Sequence, residues 1–247
     1  ELAQPGGKKL GKRQRQARKR AEVRSVLEQA HKGDVAAMLE AAEYYASGEG
    51  VKKDFEKAAQ MYQEAANLDG HNADALNNLG SCFAQGRGVK HSDRKAVELF
   101  RRASDLGAFF FFFVFVSLIA GSADACTNLA TMYRTDRGGV SDASTAFELY
   151  ESAARQGNAD AQFAVGMLYR DGEGVDESLD KSLEWLRLAA DQGHVEAQYV
   201  ASTLMFSEPP ATRDPQAMVL LEKAAAAGDQ DAKSALGALL VGVQVVW

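Results

Sequence analysis

Histidine and cysteine are the side chains that most often bind metal ions or act as nucleophiles, and this chain contains few of either. Its four histidines are His31, His71, His91 and His194. They lie at least 20 residues apart, and no His-Glu-x-x-His motif occurs, so the sequence predicts no metal site. His71 and His194 directly follow Gly70 and Gly193, which predicts that both histidines lie in turns or at helix starts.

Other combinations that support catalysis are also missing from the sequence. Cys82 and Cys126 are too far apart for a Cys-x-x-Cys motif, and there is no Gly-x-Ser-x-Gly nucleophile motif. The segment 48–50, Gly-Glu-Gly, lacks the glycine and lysine that follow in a phosphate-binding loop. We therefore predict no catalytic residue, no cofactor and no metal, and we expect that the chain is not an enzyme. Both cysteines are predicted to be small buried side chains.

Small residues recur along the chain at a nearly constant spacing. An alanine opens each block, large or apolar residues follow four and eight positions later, and five positions later the residue is usually small. Offsets of 0, 4, 5 and 8 lie on one face of an α-helix. The intervals between the opening alanines are 38, 50, 36, 36 and 35 residues. These alanines are Ala37, Ala75, Ala125, Ala161, Ala197 and Ala232.

A second helical stretch, with apolar residues three or four apart, follows in each block. A Gly-x-Gly-Val segment such as 48–51 separates the two stretches, because glycine can end a helix with a positive φ and permit a tight loop. Asp or Ser then stands where a helix N-cap is expected. Each block is thus predicted to be a helix–turn–helix unit, and a stack of such units is an all-α fold. The predicted caps are Asp54, Ser92, Asp142, Ser178 and Asp214.

These blocks resemble the Sel1-like repeat, a relative of the tetratricopeptide repeat. The likeness rests on Ala-x3-Leu-Gly-x2-Tyr-x2-Gly-x-Gly-Val-x2-Asp-x2-Lys-Ala, with variations, and it covers about Gly33 to the end of the chain. The resemblance implies a right-handed α–α superhelix, or solenoid, of helix–turn–helix repeats. It also implies a non-enzymatic adaptor or scaffold that binds proteins or extended peptides on its concave face and takes no small-molecule substrate. The alternative is a regulatory or targeting segment of a larger enzyme, or of a complex of the ubiquitin-ligase or ER-degradation type.

The repeats divide the chain into five predicted segments. A basic N-terminal arm, which could include a leading helix, covers 1–32, and the first two repeats cover 33–107. A phenylalanine-rich insertion covers 108–121, repeats three to five cover 122–228, and a partial sixth repeat covers 229–247. Because the chain starts at Glu1 rather than at Met, the hypothesis that it is a fragment stays open.

The insertion, AFFFFFVFVSLIAG, is foreign to the repeat. Removing its 14 residues shortens the interval of 50 to 36, which places the insertion at a turn between repeats. A translated polypyrimidine tract and splice acceptor would have this composition, so we interpret the segment as a retained intron end or a gene-model error. The alternative is a hydrophobic hook for a partner or a membrane. The segment is shorter than the roughly 20 residues that span a bilayer.

Charge is unevenly distributed along the chain. Residues 1–24 hold nine Lys or Arg and two Glu, a net charge of +7, whereas the rest holds 19 basic and 32 acidic residues. Such an arm is typical of a nuclear-targeting patch or of a segment that contacts nucleic acid or an anionic membrane, contacts open to this chain only through the arm; the alternative is a solvated, frayed helix start. The cysteine pattern and the absence of Asn-x-Ser/Thr favour the cytoplasm or nucleus over the ER lumen or secretion, although the location stays open.

First-helix positions that vary between repeats are the predicted partner-binding surface. Asparagine side chains there carry donors and acceptors that suit the backbone of an extended peptide, and aromatic side chains could anchor a partner. The alternative is that these are ordinary solvated or packing residues. The aromatics at the fixed offset, such as Tyr45 and Tyr169, are instead predicted to lie in the core between helices. The predicted protein-binding residues are Glu40, Asn77, Asn78, Thr127, Asn128, Gln162, Phe163, Gln198 and Tyr199.

Overall fold

The computed structural model describes residues 12–108, 122–207 and 215–240. Within these ranges the secondary structure is twelve α-helices and one 3-10 turn, with no strand. They belong to two compact units, Glu1–Ala103 and Ser104–Trp247. The helices α1 to α12 are, in order, Lys12–His31, Val35–Ser47, Phe55–Leu68, Ala73–Gln85, Asp93–Ala108, Ala123–Arg134, Ala143–Arg155, Ala159–Asp171, Leu179–Asp191, Val195–Ser207, Pro215–Ala227 and Gln230–Leu240.

The unit Glu1–Ala103 begins with a helix that precedes the repeats. One face of α1 packs on α2, and Val23, Val26 and Ala30 are buried there. Lys19 strengthens this contact, because its Nζ donates to Glu22 Oε1 at 3.0 Å and to the Tyr44 hydroxyl at 3.3 Å. From Lys12 onward the basic segment is thus a helix that covers the first repeat, because its apolar stripe finds a partner in α2.

The unit Ser104–Trp247 is a sequential stack. Each first helix packs on the second helix of its own repeat, α6 on α7, α8 on α9 and α10 on α11, and each second helix packs on the next first helix. Apolar side chains from neighbouring repeats form shared clusters, one around Tyr150 and Val165 and another around Leu186 and Leu221. Each repeat therefore buries its core against its neighbours, as expected of a solenoid.

Small residues sit where the helices approach most closely. The opening alanines from Ala75 to Ala232 are completely buried, and Ala37 is 5% exposed. Five positions after the opening alanine, a Cβ added at Gly80 would lie 2.8 Å from the Phe100 ring. The small residues at these offsets thus permit close helix packing in these repeats.

The lysine that recurs at the start of the second helix contacts the aromatic side chain that recurs in the first helix. Lys57 Nζ lies 5.4 Å from the Tyr45 ring centroid, and Lys181 Nζ lies 5.1 Å from that of Tyr169. Lys95 makes the same contact with Phe83 at 4.9 Å. Tyr169 is buried, as predicted for a core position, whereas Tyr45, Phe83 and Tyr133 are half-buried. A cation over the ring face stabilises this partly exposed edge of the repeat.

N-cap side chains begin the helices as the sequence predicts. Asp54, Ser92, Asp142 and Ser178 each accept a hydrogen bond from a backbone N–H in the first turn of the following helix. Asp214, the fifth predicted cap, lies outside the described residues. The third repeat departs from the common loop, with a 3-10 turn at Arg137–Gly139.

Most of the phenylalanine-rich insertion and the end of the predicted sixth repeat lie beyond these ranges. Residues 109–121 of the phenylalanine-rich insertion and 241–247 of the partial sixth repeat are outside the described residues. The helix α12 lies within the segment predicted to be a partial sixth repeat.

Ser182 is a buried hydroxyl that makes no hydrogen bond in the described part of the chain. It is completely buried in α9, at the position that Ala58, Ala146 and Ala217 occupy in other repeats. An unsatisfied buried hydroxyl costs about 1–3 kcal/mol.

We therefore expect Ser182→Ala to raise the free energy of unfolding by about 1 kcal/mol, measured by urea denaturation. Ser202→Ala is the matched control, because Ser202 is equally buried but its Oγ donates to Tyr199 O at 2.6 Å. The control should give no gain. Equal effects of the two substitutions would show that the missing hydrogen bond at Ser182 has no energetic consequence.

Candidate functional site

In the unit Ser104–Trp247, two successive first helices carry an aromatic side chain at the same position of the repeat. Phe163 on α8 and Tyr199 on α10 each stand two positions after the opening alanine of their repeat. Both are half-buried and pack against the same core cluster. Burial raises the pKa of Tyr199, and Asp231 and Asp229 raise it further. The structure thus places two of the predicted binding residues at equivalent positions of adjacent helices, with part of each side chain accessible.

His194 joins this aromatic pair. Its ring stacks on Phe163 with centroids 4.6 Å apart. Its Nδ1 accepts a hydrogen bond from Ala197 N, so His194 caps the N-terminus of α10. Its Nε2 lies 3.5 Å from Asp160 Oδ1 in the preceding repeat. The prediction that His194 marks a helix start is confirmed, and so is that for His71, which lies in the turn before α4.

The two predicted glutamines are not surface residues. Gln162 and Gln198 are both 6% exposed, and their Nε2 atoms donate to Ala154 O at 3.2 Å and Ala190 O at 3.1 Å. These carbonyls belong to the last turns of α7 and α9, which helix geometry leaves without an intrahelical donor. The expected surface placement is therefore corrected for both glutamines, because each ties a second helix to the first helix of the next repeat.

Two other predicted residues also bond within the fold. Glu40 is exposed, and its Oε1 lies 2.6 Å from the Tyr44 hydroxyl, which is itself 3.2 Å from Glu22 Oε1. The hydrogen bond with Glu40 raises the pKa of Tyr44. Thr127 is half-buried, and its hydroxyl donates to Ala123 O at 2.8 Å.

The three predicted asparagines differ in exposure. Asn77 is only 7% exposed, so its expected surface placement is also corrected. Asn78 and Asn128 are half-buried, in α4 and α6. Asn78 lines a cavity of about 140 Å³ in the unit Glu1–Ala103, together with Tyr62 and Cys82.

Tyr62, Cys82 and the cationic Arg87 are the titratable side chains that line the small cavity at Asn78. Burial raises the pKa of Tyr62 to about 12 and also raises the pKa of the Cys82 thiol. Cys82 is half-buried, whereas Cys126 is buried as predicted, and both are free thiols. A raised pKa lowers the thiolate fraction of a cysteine and so weakens it as a nucleophile.

A larger cleft of about 650 Å³ lies between α1 and the turn that joins α2 to α3. Gln16, Lys19 and Arg20 line it from α1, and the segment 48–52 lines it from the turn. The sequence did not predict this cleft, although the excess of Lys and Arg in the basic arm was an available signal. The periodicity of α1 could have shown that Lys19 lies beside the buried Val23 stripe, but not which turn it would meet.

The described ranges contain neither a cluster of metal-ligating side chains nor a membrane-spanning helix. They contain no group of three or more His, Cys, Asp or Glu side chains that could hold a metal ion. None of the helices described combines the length and apolar character needed to cross a bilayer.

The described geometry agrees with a comparison to protein families. The Sel1 repeat model matches residues 35–70, 73–107, 123–158, 159–194 and 196–229. Comparison with curated proteins gives no significant match.

Solved structures of Sel1 repeat proteins resemble the chain. The protective antigen c5321 of uropathogenic Escherichia coli strains, which has an SLR fold, aligns with a TM-score of 0.70 and 26% identity. The alignment covers 92% of this chain, which spans 46% of that chain, about half its length. A Sel1 repeat protein from Oxalobacter formigenes has a TM-score of 0.67, 24% identity and coverage of 83% and 76%. Five matched repeats and this fold lead to one conclusion: the chain belongs to the Sel1 repeat family.

Proposed function

We propose that this chain is a non-enzymatic adaptor that binds an extended segment of a partner protein on the first-helix face of the unit Ser104–Trp247. The observation that carries the proposal is the half-buried pair Phe163 and Tyr199 at equivalent positions of α8 and α10. Aromatic side chains with an apolar body and an accessible edge are the residues that most often anchor a partner. Sel1-like and tetratricopeptide-like repeats generally serve as protein-interaction scaffolds, which supports the same proposal.

The surroundings of the pair favour a partner with apolar and basic side chains. Asp160, Glu196 and Asp231 are exposed in the first turns of α8, α10 and α12. The whole segment 104–247 holds 20 Asp or Glu against nine Lys or Arg, a net charge of −11. Apolar side chains of the partner would pack on the aromatic edges, and lysine or arginine side chains would reach the carboxylates.

A photo-crosslinking amino acid at Thr203 on α10, with the control position Glu184 on α9, tests which face is used. Thr203 is half-buried and Glu184 is exposed. We expect covalent capture of a partner from Thr203 and not from Glu184. The captured protein is then purified, and its Kd for the chain is measured by fluorescence anisotropy.

With the purified partner, Tyr199→Ala should raise Kd by roughly tenfold or more, as expected for an aromatic anchor. Tyr199→Phe, which keeps the ring, should stay within about threefold of the parent value. Val219→Ala is the control, since Val219 is 48% exposed on the second helix α11. The proposal fails if crosslinks form only from Glu184, or if Tyr199→Ala and Val219→Ala change Kd equally.

A further inference from the structure

The cleft beside α1 contains two exposed cationic side chains, Arg20 on α1 and Lys52 in the α2–α3 turn. Neither pairs with another side chain in the described part of the chain, whereas Lys19 between them bonds to Glu22 and Tyr44. The exposed Gln16 adds an amide donor to the same wall. Hydrogen-bond donors thus line a concave space of about 650 Å³ together with a single carboxylate, that of Glu49.

The walls of this cleft are held by packing. A Cβ added at Gly50 would lie 2.7 Å from Val23 Cγ2, so the turn is pressed against α1. Lys19 Nζ lies 4.8 Å from the Tyr44 ring centroid and 3.8 Å from Glu49 Oε1. Because these contacts fix the turn relative to α1, a ligand would not have to order the site on binding.

The charge of the cleft selects an anionic ligand. Lys19, Arg20 and Lys52 outnumber Glu49 along its lining. The unit Glu1–Ala103 holds 19 Lys or Arg against 14 Asp or Glu, a net charge of +5. A positive concave surface attracts and orients negatively charged partners.

Three classes of anionic partner are candidates for such a surface: nucleic acid, a bilayer surface and a flexible segment that carries carboxylates. Proteins that bind single-stranded nucleic acid combine a positive groove with aromatic side chains that stack on the bases, and the described lining contains no aromatic side chain. A bilayer surface is flat on this scale and does not enter a recess. Carboxylates on a flexible segment can enter and accept paired N–H groups from an arginine side chain.

We propose that the cleft between α1 and the α2–α3 turn is a binding site for an acidic, Asp/Glu-rich segment of a partner protein. Its carboxylates accept hydrogen bonds from Arg20 and Lys52, and Gln16 donates to the same segment. This site lies in a different unit from Phe163 and Tyr199, so it stands or falls independently of the function proposed above.

The test uses the full chain and a fluorescein-labelled hexaglutamate peptide, with Kd measured by fluorescence anisotropy at low salt. The cleft variant is Arg20→Glu with Lys52→Glu. Its charge-matched control is Lys32→Glu with Lys90→Glu, since both lysines are exposed in the same unit and outside the cleft lining. The two double variants change the net charge equally, so any difference between them measures position.

We expect the cleft variant to raise Kd by about tenfold or more, and the control by about threefold or less. The peptide should also bind more weakly at 0.5 M salt, because screening weakens exposed charge pairs. Arg20→Gln with Lys52→Gln, which keeps donors but removes charge, should fall between the parent and the cleft variant. Far-ultraviolet circular dichroism should show the same helical content in all variants.

Equal Kd values for the cleft variant and its control would overturn the proposal. So would cleft-dependent binding of a deoxythymidine decamer or of phosphatidylserine vesicles by a chain that does not bind hexaglutamate. Salt-sensitive self-association that only the cleft variant abolishes would show that the acidic segment comes from a second copy, which also contradicts a separate partner.

Discussion

Gly174→Ala is expected to lower the free energy of unfolding by about 3 kcal/mol or more. Gly174 has φ +74° in the α8–α9 turn, a backbone conformation that costs an L-residue about 1–2 kcal/mol. An added Cβ would also collide with the Ala143 carbonyl and lie 3.0 Å from Ser144 N, at the start of α7 in the preceding repeat. The turn and α7 would have to separate, because backbone atoms cannot give way by a rotamer change.

Gly193→Ala separates the cost of the positive φ from the cost of the clash with α7. Gly193 also has a positive φ, +90°, but nothing lies within 4 Å of an added Cβ. This control should lose only the backbone term of about 1–2 kcal/mol. Urea denaturation followed by circular dichroism measures both variants. If Gly174→Ala is no more destabilising than Gly193→Ala, the turn does not support the neighbouring repeat.

Gly166→Ala is expected to destabilise the chain although it improves helix propensity. A Cβ at Gly166 would lie 2.7 Å from Leu186 Cγ and 3.2 Å from Ser182 O, where α8 crosses α9. Overpacking a buried contact costs about 1–3 kcal/mol, and replacing a helical glycine with alanine returns about 1 kcal/mol. The net loss should therefore reach up to about 2 kcal/mol, read as a lower midpoint in urea.

Gly237→Ala should instead raise the free energy of unfolding. Gly237 occupies the same repeat offset in α12, but nothing lies within 4 Å of its added Cβ. Only the propensity term acts there, so the variant should gain up to about 1 kcal/mol. A lower free energy of unfolding for Gly237→Ala, or a higher one for Gly166→Ala, would contradict the close approach of α8 and α9 as the reason for glycine at this offset.

The all-α repeat fold could be predicted almost completely from local sequence. The residues at offsets 0, 4, 5 and 8 share a helix face whatever the neighbours are, and the turn glycines and Asp or Ser caps act within a few residues of their own position. His194 illustrates the same point: its place after Gly193 predicted a helix start, and its Nδ1 accepts from Ala197 N.

The candidate sites could be predicted only in part. Gln162 and Asn128 are both polar first-helix residues in sequence, but the structure buries Gln162 and leaves Asn128 half-buried. Gln162 donates to Ala154 O at the end of α7 in the preceding repeat. Such a contact joins two helices, and periodicity within one helix contains no information about it.

By itself the sequence determined the helical repeat, its turns and caps, and the basic charge of the first helix, because these follow from local geometry and composition. Only the tertiary structure decided which polar side chains remain accessible. It also brought Arg20 and Lys52, 32 positions apart, to the walls of one cleft. The physical reason is that α1 must bury its Val23 stripe on α2, and the depth and register of that packing depend on side chains from both helices at once.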